Sequence, residues 1–188
     1  KPVKARPICA SASPSNPVNF GKKEQMMEFA DLTKRFCDAA CTGGAELAAL
    51  FTERGAYHDG FYGEFTGRGA IADMIDNYFR RDAEDFMWQM YEPAKSGGIG
   101  YARYRFGYTS KIAGREGTRV VFTGIGRFRL DGELIAHYTE VFDTSIGMAQ
   151  LGFDGERIAK RARRSAEALR GEPEMEPFLA GAAKMIGE

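Results

Sequence analysis

Asp131-Gly132-Glu133-Leu134-Ile135-Ala136-His137-Tyr138-Thr139-Glu140-Val141-Phe142-Asp143 is the stretch on which the fold turns. An Asp-Gly pair beside an alternating run is a strong hairpin signal, because a type I′ turn needs positive φ at both central positions. With Asp131-Gly132 as the turn, Leu130 lies opposite Glu133. Tyr138 then faces Ile125, Glu140 faces Thr123 and Phe142 faces Val121, all on one side of the sheet. The other side carries Val120, Phe122, Gly124, Gly126 and Phe128 against Ile135, His137, Thr139, Val141 and Asp143. Both sides are largely apolar, so each is expected to be covered, one by helices and the other by a second subunit.

Outward from the hairpin, period-two patterning extends upstream to about residue 86. Strands are expected over 86–94, 99–112, 118–130 and 133–144, with turns at Gly97-Gly98 and Gly114-Arg115-Glu116-Gly117. Before them the period is helical. Met26, Phe29, Thr33, Phe36 and Ala40, with Leu32 and Cys37 alongside, make one apolar face that ends at Gly43-Gly44, where a left-handed cap is expected. A short helix over 45–51 follows, then an extended segment, Ala56-Tyr57-His58-Asp59, and a Gly- and aromatic-rich loop over 61–67. Ile71, Met74, Ile75, Tyr78 and Phe79 place a third helix over 68–81. The domain organisation read from this is an extended arm (1–21), a domain of helices and curved antiparallel sheet (22–153) and a helical extension (154–188). The fold class is α+β: three N-terminal helices packed on a strongly curved sheet, enclosing a single apolar pocket.

Composition narrows the function classes. Lys+Arg and Asp+Glu both number 26, so the formal net charge is zero and nothing draws the chain to phosphate backbones or anionic membranes. No apolar run approaches the ~20 residues of a membrane span. The N-terminal stretch, broken by Pro2, Pro7, Pro14 and Pro17, lacks a secretory signal core. Cys9, Cys37 and Cys41 have no framework spacing, and Cys37 and Cys41 are read as small apolar members of a helical stripe. A cytoplasmic location follows. Neither a metal nor a nucleotide cofactor is expected, since no Cys/His/Asp cluster has ligand spacing and no Gly-rich loop joins a strand to a helix.

Three helices followed by a meander of bent strands resemble the nuclear transport factor 2-like, or SnoaL-like, cone fold, over roughly residues 24–153. The residues that carry the resemblance are Tyr57-His58-Asp59, Gly67-Arg68-Gly69, the hairpin from Asp131 to Asp143, and Ala149-Gln150-Leu151. The superfamily hosts many activities, so the resemblance implies a fold more than a reaction. Within it, limonene epoxide hydrolase activates water with an acid on the last strand, a position matched by Glu140, and presents a Tyr and an Asn where Tyr57 and Asp59 stand. Ketosteroid isomerase has its general base near the position of Asp59. The resemblance therefore implies Glu140 and Asp59 as an acid/base pair, with Tyr57 beside them. It departs at Arg103-Tyr104-Arg105-Phe106-Gly107, which has no Asp two residues after an Arg, and in the first helix, which has no Tyr.

The expected ligand is an apolar small molecule, flat or polycyclic, met by Tyr138, Trp88, Tyr91, Tyr101, Arg103, Tyr104, Arg105 and Phe142. Phe61, Tyr62, Phe65 and Tyr108 belong to the same aromatic set, and so many hydroxyl-bearing rings are more than a dry core wants. A structural role stands beside the functional one: Glu140 as a buried acid neutralised by Arg103 or Arg105. His137 is expected at a homodimer interface on the outer sheet face, Gly124 and Gly126 at bends of the sheet, and Arg161-Ala162-Arg163-Arg164 on a solvated helical face. Three readings remain open at this point: cofactor-free acid/base enzyme (isomerase, cyclase, dehydratase or hydrolase), ligand-binding protein, and dimerisation module with a filled cone.

Overall fold

The computed structural model describes residues 20–181, so the expected arm lies almost wholly outside the described residues, as does Cys9. α1 (Phe20–Thr42) buries the stripe formed by Phe29, Leu32, Thr33, Phe36, Cys37 and Ala40. The break after it is not a left-handed cap, because Gly43 is extended at φ 173°. The glycine requirement falls instead on Gly44, the first residue of α2 (Gly44–Ala49). It presses against α3 (Arg68–Asp73) so closely that a Cβ would sit 2.2 Å from the Ala72 carbonyl oxygen. α3 continues through a π-helical turn (Met74–Phe79) into α4 (Arg80–Asp82), and Asp76 in that turn accepts the Gly44 N–H at 3.0 Å.

Six strands follow the order β2-β1-β6-β5-β4-β3. β3 (Ala83–Ser96), β4 (Ile99–Ser110), β5 (Arg119–Asp131) and β6 (Leu134–Phe142) are the four strands read from the period of two. Two features differ from the sequence reading. β1 runs over Phe51–Asp59, so the short helix ends earlier than expected, and β2 (Gly63–Thr66) takes half of the expected loop. β1 also lies parallel to β6, which makes the sheet mixed rather than wholly antiparallel. β3 carries bulges at Asp85 (φ 51°) and Glu92 (φ 54°), each at a register shift against β4. Such bulges bend a strand and increase its twist, and here they help close the sheet into a cone.

The hairpin register also differs. Asp131 pairs with Leu134, so Gly132 and Glu133 form the loop, with positive φ only at Gly132 (59°), as in a type II′ turn. A further shift between Arg129 and Leu130 places Phe128 opposite Tyr138, Gly126 opposite Glu140 and Gly124 opposite Phe142. On β6 the inward residues are the expected ones, Tyr138, Glu140 and Phe142. On β5 the parity is reversed: Val120, Phe122 and Phe128 are buried, while Val121 and Ile125 face outward at 55% and 49% exposure.

Gly124 and Gly126 gain their meaning from this register. A Cβ on Gly124 would lie 2.5 Å from the Tyr104 ring and hydroxyl, and one on Gly126 would lie 2.8 Å from the Tyr138 ring. They are sockets for two tyrosines rather than bends. Phe36 wedges into the closed half of the cone, with ring centroids 4.6 Å from Tyr138, 5.3 Å from Phe128 and 5.4 Å from Trp88. The other half stays open and is closed off by α5 (Thr144–Gln150) and α6 (Gly155–Arg170), capped by the Asp143 and Asp154 side chains. Gln150 holds α5 in place by bonding both the N–H and the carbonyl of Val121, each at 2.9 Å, just where β6 no longer pairs with β5. No described helix is long and apolar enough to cross a membrane.

Gly124→Ala should destabilise the fold by about 1–3 kcal/mol, because Tyr104 has to leave its socket. Gly69→Ala, on α3 with nothing within 4 Å of the added methyl, should instead be neutral or stabilising by roughly 0.5–1 kcal/mol. Urea unfolding midpoints of the two variants check both directions.

Candidate active site

The open half of the cone holds a cavity of about 250 Å³. Eleven of its lining residues are aromatic: Phe61, Tyr62, Phe79, Phe86, Trp88, Tyr104, Phe106, Tyr108, Phe122, Phe142 and Phe153. Asp59 and Glu140 reach it from the ends of β1 and β6. Tyr62 and Arg157 are the lining members most exposed to solvent, and they mark its opening. Beside it Tyr62 donates to Asp82 at 2.8 Å, and Arg81 holds the Asp82 carboxyl below the usual carboxylate range.

The two carboxyls differ in support. Asp59 is 4% exposed, and its Oδ1 accepts the backbone N–H groups of Phe61 (2.7 Å) and Tyr62 (2.8 Å) in an Asx turn. Burial raises its pKa, against the pull of those two N–H groups and of the charges on His58 and Arg161. Glu140 has no such amides. Burial pushes its pKa up to about 8, and the charge of Asp59 and a hydrogen bond to it add to the rise. The Tyr138 hydroxyl donates to Glu140 at 3.2 Å, and this bond and the nearby Tyr104 hydroxyl oppose the rise. Of the two acids Glu140 is thus the one that holds its proton at neutral pH, as expected where a second carboxyl disfavours its ionisation. Tyr104 and Tyr138 have pKa values far above the usual phenol range, chiefly through burial, and stay protonated donors.

The structure brings together Glu140, Asp59, Trp88, Tyr104 and Phe142 at one cavity. Tyr138 and Tyr57 lie behind it in the filled half. Tyr138 touches the site through its hydroxyl, whereas the Tyr57 hydroxyl is buried without a hydrogen-bond partner, stacked on Phe36. The Trp88 indole N–H likewise has no partner. Tyr91, Tyr101, Arg103 and Arg105 do not line the cavity. β4 alternation turns Tyr101, Arg103 and Arg105 to the outer face, where both guanidiniums pack on the Tyr91 ring at about 5 Å and Arg103 pairs with Glu92 at 3.3 Å. Neither arginine neutralises Glu140, and its burial is relieved by a proton instead.

Sequence reasoning missed the contribution of the tail. Met148, Leu151, Phe153 and Arg157 close the cavity, with Phe153 clamped between Arg115 (4.0 Å) and Arg157 (4.3 Å). Arg161 is not on a purely solvated face, since it donates to the Gly60 carbonyl next to Asp59. The available signal was the apolar pair Met148 and Leu151, three apart beyond the last strand, with Phe153 just after it.

The profile of the SnoaL-like domain matches residues 34–138, more than half of the chain. The chain belongs to the SnoaL-like family. Among solved structures, this SnoaL-like domain is similar to a hypothetical protein with a ketosteroid isomerase-like fold from Catenulispora acidiphila, in complex with trimethylamine. The two are 21% identical with a TM-score of 0.60, over 67% of this chain and 95% of that one. It is also similar to an LEH-like epoxide hydrolase of M. tuberculosis (16%, 0.55, 68% and 91%). A polyketide cyclase candidate from Xanthomonas campestris pv. campestris compares at 17% and 0.55, over 67% and 98%. At these identities the likeness is one of fold. No curated protein matches significantly.

The acid pair has a consequence for stability. A carboxyl whose folded pKa is raised contributes stability at low pH, and that contribution is lost as pH rises from the unfolded value toward the folded one. For Glu140 that window runs from 4.5 to about 8. Unfolding free energy should therefore fall across it in the wild type, and the fall should be visibly shallower in Glu140→Gln. Chemical denaturation at pH 5 and pH 8 measures the difference.

Proposed function

We propose that this SnoaL-like domain is a cofactor-free acid/base enzyme acting on a small, largely apolar molecule, in the isomerase, cyclase, dehydratase or hydrolase class. The carrying observation is the Asp59–Glu140 pair set together in the wall of an enclosed aromatic cavity, with burial favouring the protonated form of Glu140. General acid/base chemistry needs one group that gives a proton and one that takes it, both near neutrality. Asp59, fixed by two amide N–H groups, suits the base, and Glu140, protonated at pH 7, suits the acid. In an isomerisation Asp59 takes a proton from carbon while Glu140 protonates the developing oxyanion. Asp59 then gives that proton to a second carbon while the enol returns its proton to Glu140, which resets the pair. Tyr104 and Tyr138 position Glu140 and steady its anion as it forms.

A cavity of about 250 Å³ lies below the ~300–1,000 Å³ usual for drug-sized ligands, which favours a compact substrate over a polycyclic one. The same volume speaks against a cone filled by its own side chains. The outer sheet face supports a homodimer, with a different set of residues from the one the hairpin reading implied. Phe122, Phe128 and Ile135 are buried inside, and Val121, Ile125, Val141 (76% exposed) and Met87 (70%) look outward. Together these make an apolar strip that a two-fold partner would cover.

Trp88 is the only tryptophan and lines the cavity, so its fluorescence reports occupancy. Screened against compact cyclic ketones, epoxides and aryl substrates, the wild type should turn over at least one class, and Glu140→Gln and Asp59→Asn should each lose about 10²-fold or more. Quenching of Trp88 with no turnover, or turnover untouched by either change, would make the domain a binding protein. Light scattering at micromolar concentration should give a dimer mass that Val141→Glu halves.

A further inference from the structure

The proposal above leaves the substrate unnamed, and the cavity's electrostatics go further. Aromatic ring faces are negative, and a site walled by them attracts cations. Among the described residues no Lys or Arg stacks on Trp88, Tyr104, Phe106 or Phe122. Of the lining rings, guanidiniums meet Phe86, under Arg80, and Phe153, between Arg115 and Arg157. The inner rings pack against one another, Phe106 stacked between Phe86 and Phe122 and Trp88 against Tyr104, and line the cavity without a cation of the chain among them.

The charged groups point the same way. Asp59 and Glu140 border the interior, and the one basic residue of the lining, Arg157, is exposed at the opening. An anionic ligand would meet a carboxylate in a medium of low dielectric. A neutral one would bury the Asp59 charge further without compensating it. We infer that the cavity is built for a compact organic cation, a protonated or quaternary amine, whose nitrogen sits against the aromatic rings beside Asp59 and Glu140. This rests on the acid/base site described above and names its substrate class.

A cation there changes the protonation of the pair. The groups facing Glu140 are Asp59 from β1, Tyr104 from β4, and Tyr57 and Tyr138 in the filled half, while Arg161 from α6 and His58 act on Asp59. With Glu140 protonated at neutral pH, a positive ligand favours its ionised form, so binding releases part of that proton while the remaining complexes keep Glu140 as the acid. A neutral ligand of the same shape releases none.

Choline and its uncharged carbon isostere, 3,3-dimethylbutan-1-ol, are suitable probes, read by Trp88 fluorescence and by calorimetry at pH 7 in two buffers of different ionisation enthalpy. Choline should bind about tenfold or more tightly than the alcohol. Its binding should release protons, and its affinity should climb as pH rises from 6 to 9. Glu140→Gln should abolish the release and the climb while the alcohol still binds. The wild-type comparison decides the matter even if the variant folds poorly. Equal or tighter binding of the alcohol would overturn the cation and leave the pocket standing. Failure of both probes to bind at about 10 mM would overturn the pocket reading together with it.

Discussion

A carboxylic acid among aromatic side chains is the constraint from which the rest of this structure follows. Ionised and unpaired, such a group costs several kcal/mol, and the chain supplies no buried cation to offset it. The relief comes from a proton and from two tyrosine hydroxyls, and both tyrosines reach Glu140 only because β5 has no side chain where their rings lie. Gly124 is the socket of Tyr104 and Gly126 that of Tyr138. Glycine inside a central strand weakens it and lowers its β propensity. Here that weakness is offset by two large rings, each seated against bare backbone, and by the hydrogen bonds at their far ends.

The same arrangement divides the cone. Phe36, from α1, fills the half behind Tyr138 and Tyr57, so that half is core. In front of Tyr104 and Glu140 none of the described side chains of α1 enters, and Phe61, Phe106, Phe122, Phe142 and Phe153 stand around an opening instead of packing to closure. The boundary between structure and site is therefore the carboxyl itself, with core on one side of it and cavity on the other. That position explains how one residue can be surrounded by protein and still face a cavity.

Strand alternation within β6 was legible from the sequence, and with it the inward direction of Tyr138, Glu140 and Phe142. Alternation holds from Tyr138 to Phe142 whatever slips beside it, but the unpaired Ala136 breaks it upstream and turns Ile135 inward as well. Pairing across the hairpin was less legible, because it depends on where the turn sits and on whether a bulge follows. The later turn slides β5 by two residues and keeps its parity, and the shift between Arg129 and Leu130 alone reverses it. Phe122 and Phe128 moved inside and Val121 and Ile125 outside, with no change in composition to announce it. The bulges of β3 at Asp85 and Glu92 were equally silent, since neither residue type announces a positive φ.

The tail shows the other limit of reading a period. α6 is charged along most of its length and is exposed beyond Arg161, which is why it read as peripheral. Its first two turns behave differently. Asp154 caps the helix, Arg157 stacks on Phe153, and Arg161 reaches the Gly60 carbonyl beside Asp59. Each of these contacts is made by a charged residue, and hydropathy patterning discards charged residues as solvent-facing. A long guanidinium stem can cover apolar surface while its head finds a carbonyl or a ring. The closing wall of the cavity is thus built from residues that a hydropathy reading assigns to the surface. Their charges also act on the acid pair: Arg161 favours the ionised form of Asp59, whose charge in turn favours the protonated form of Glu140.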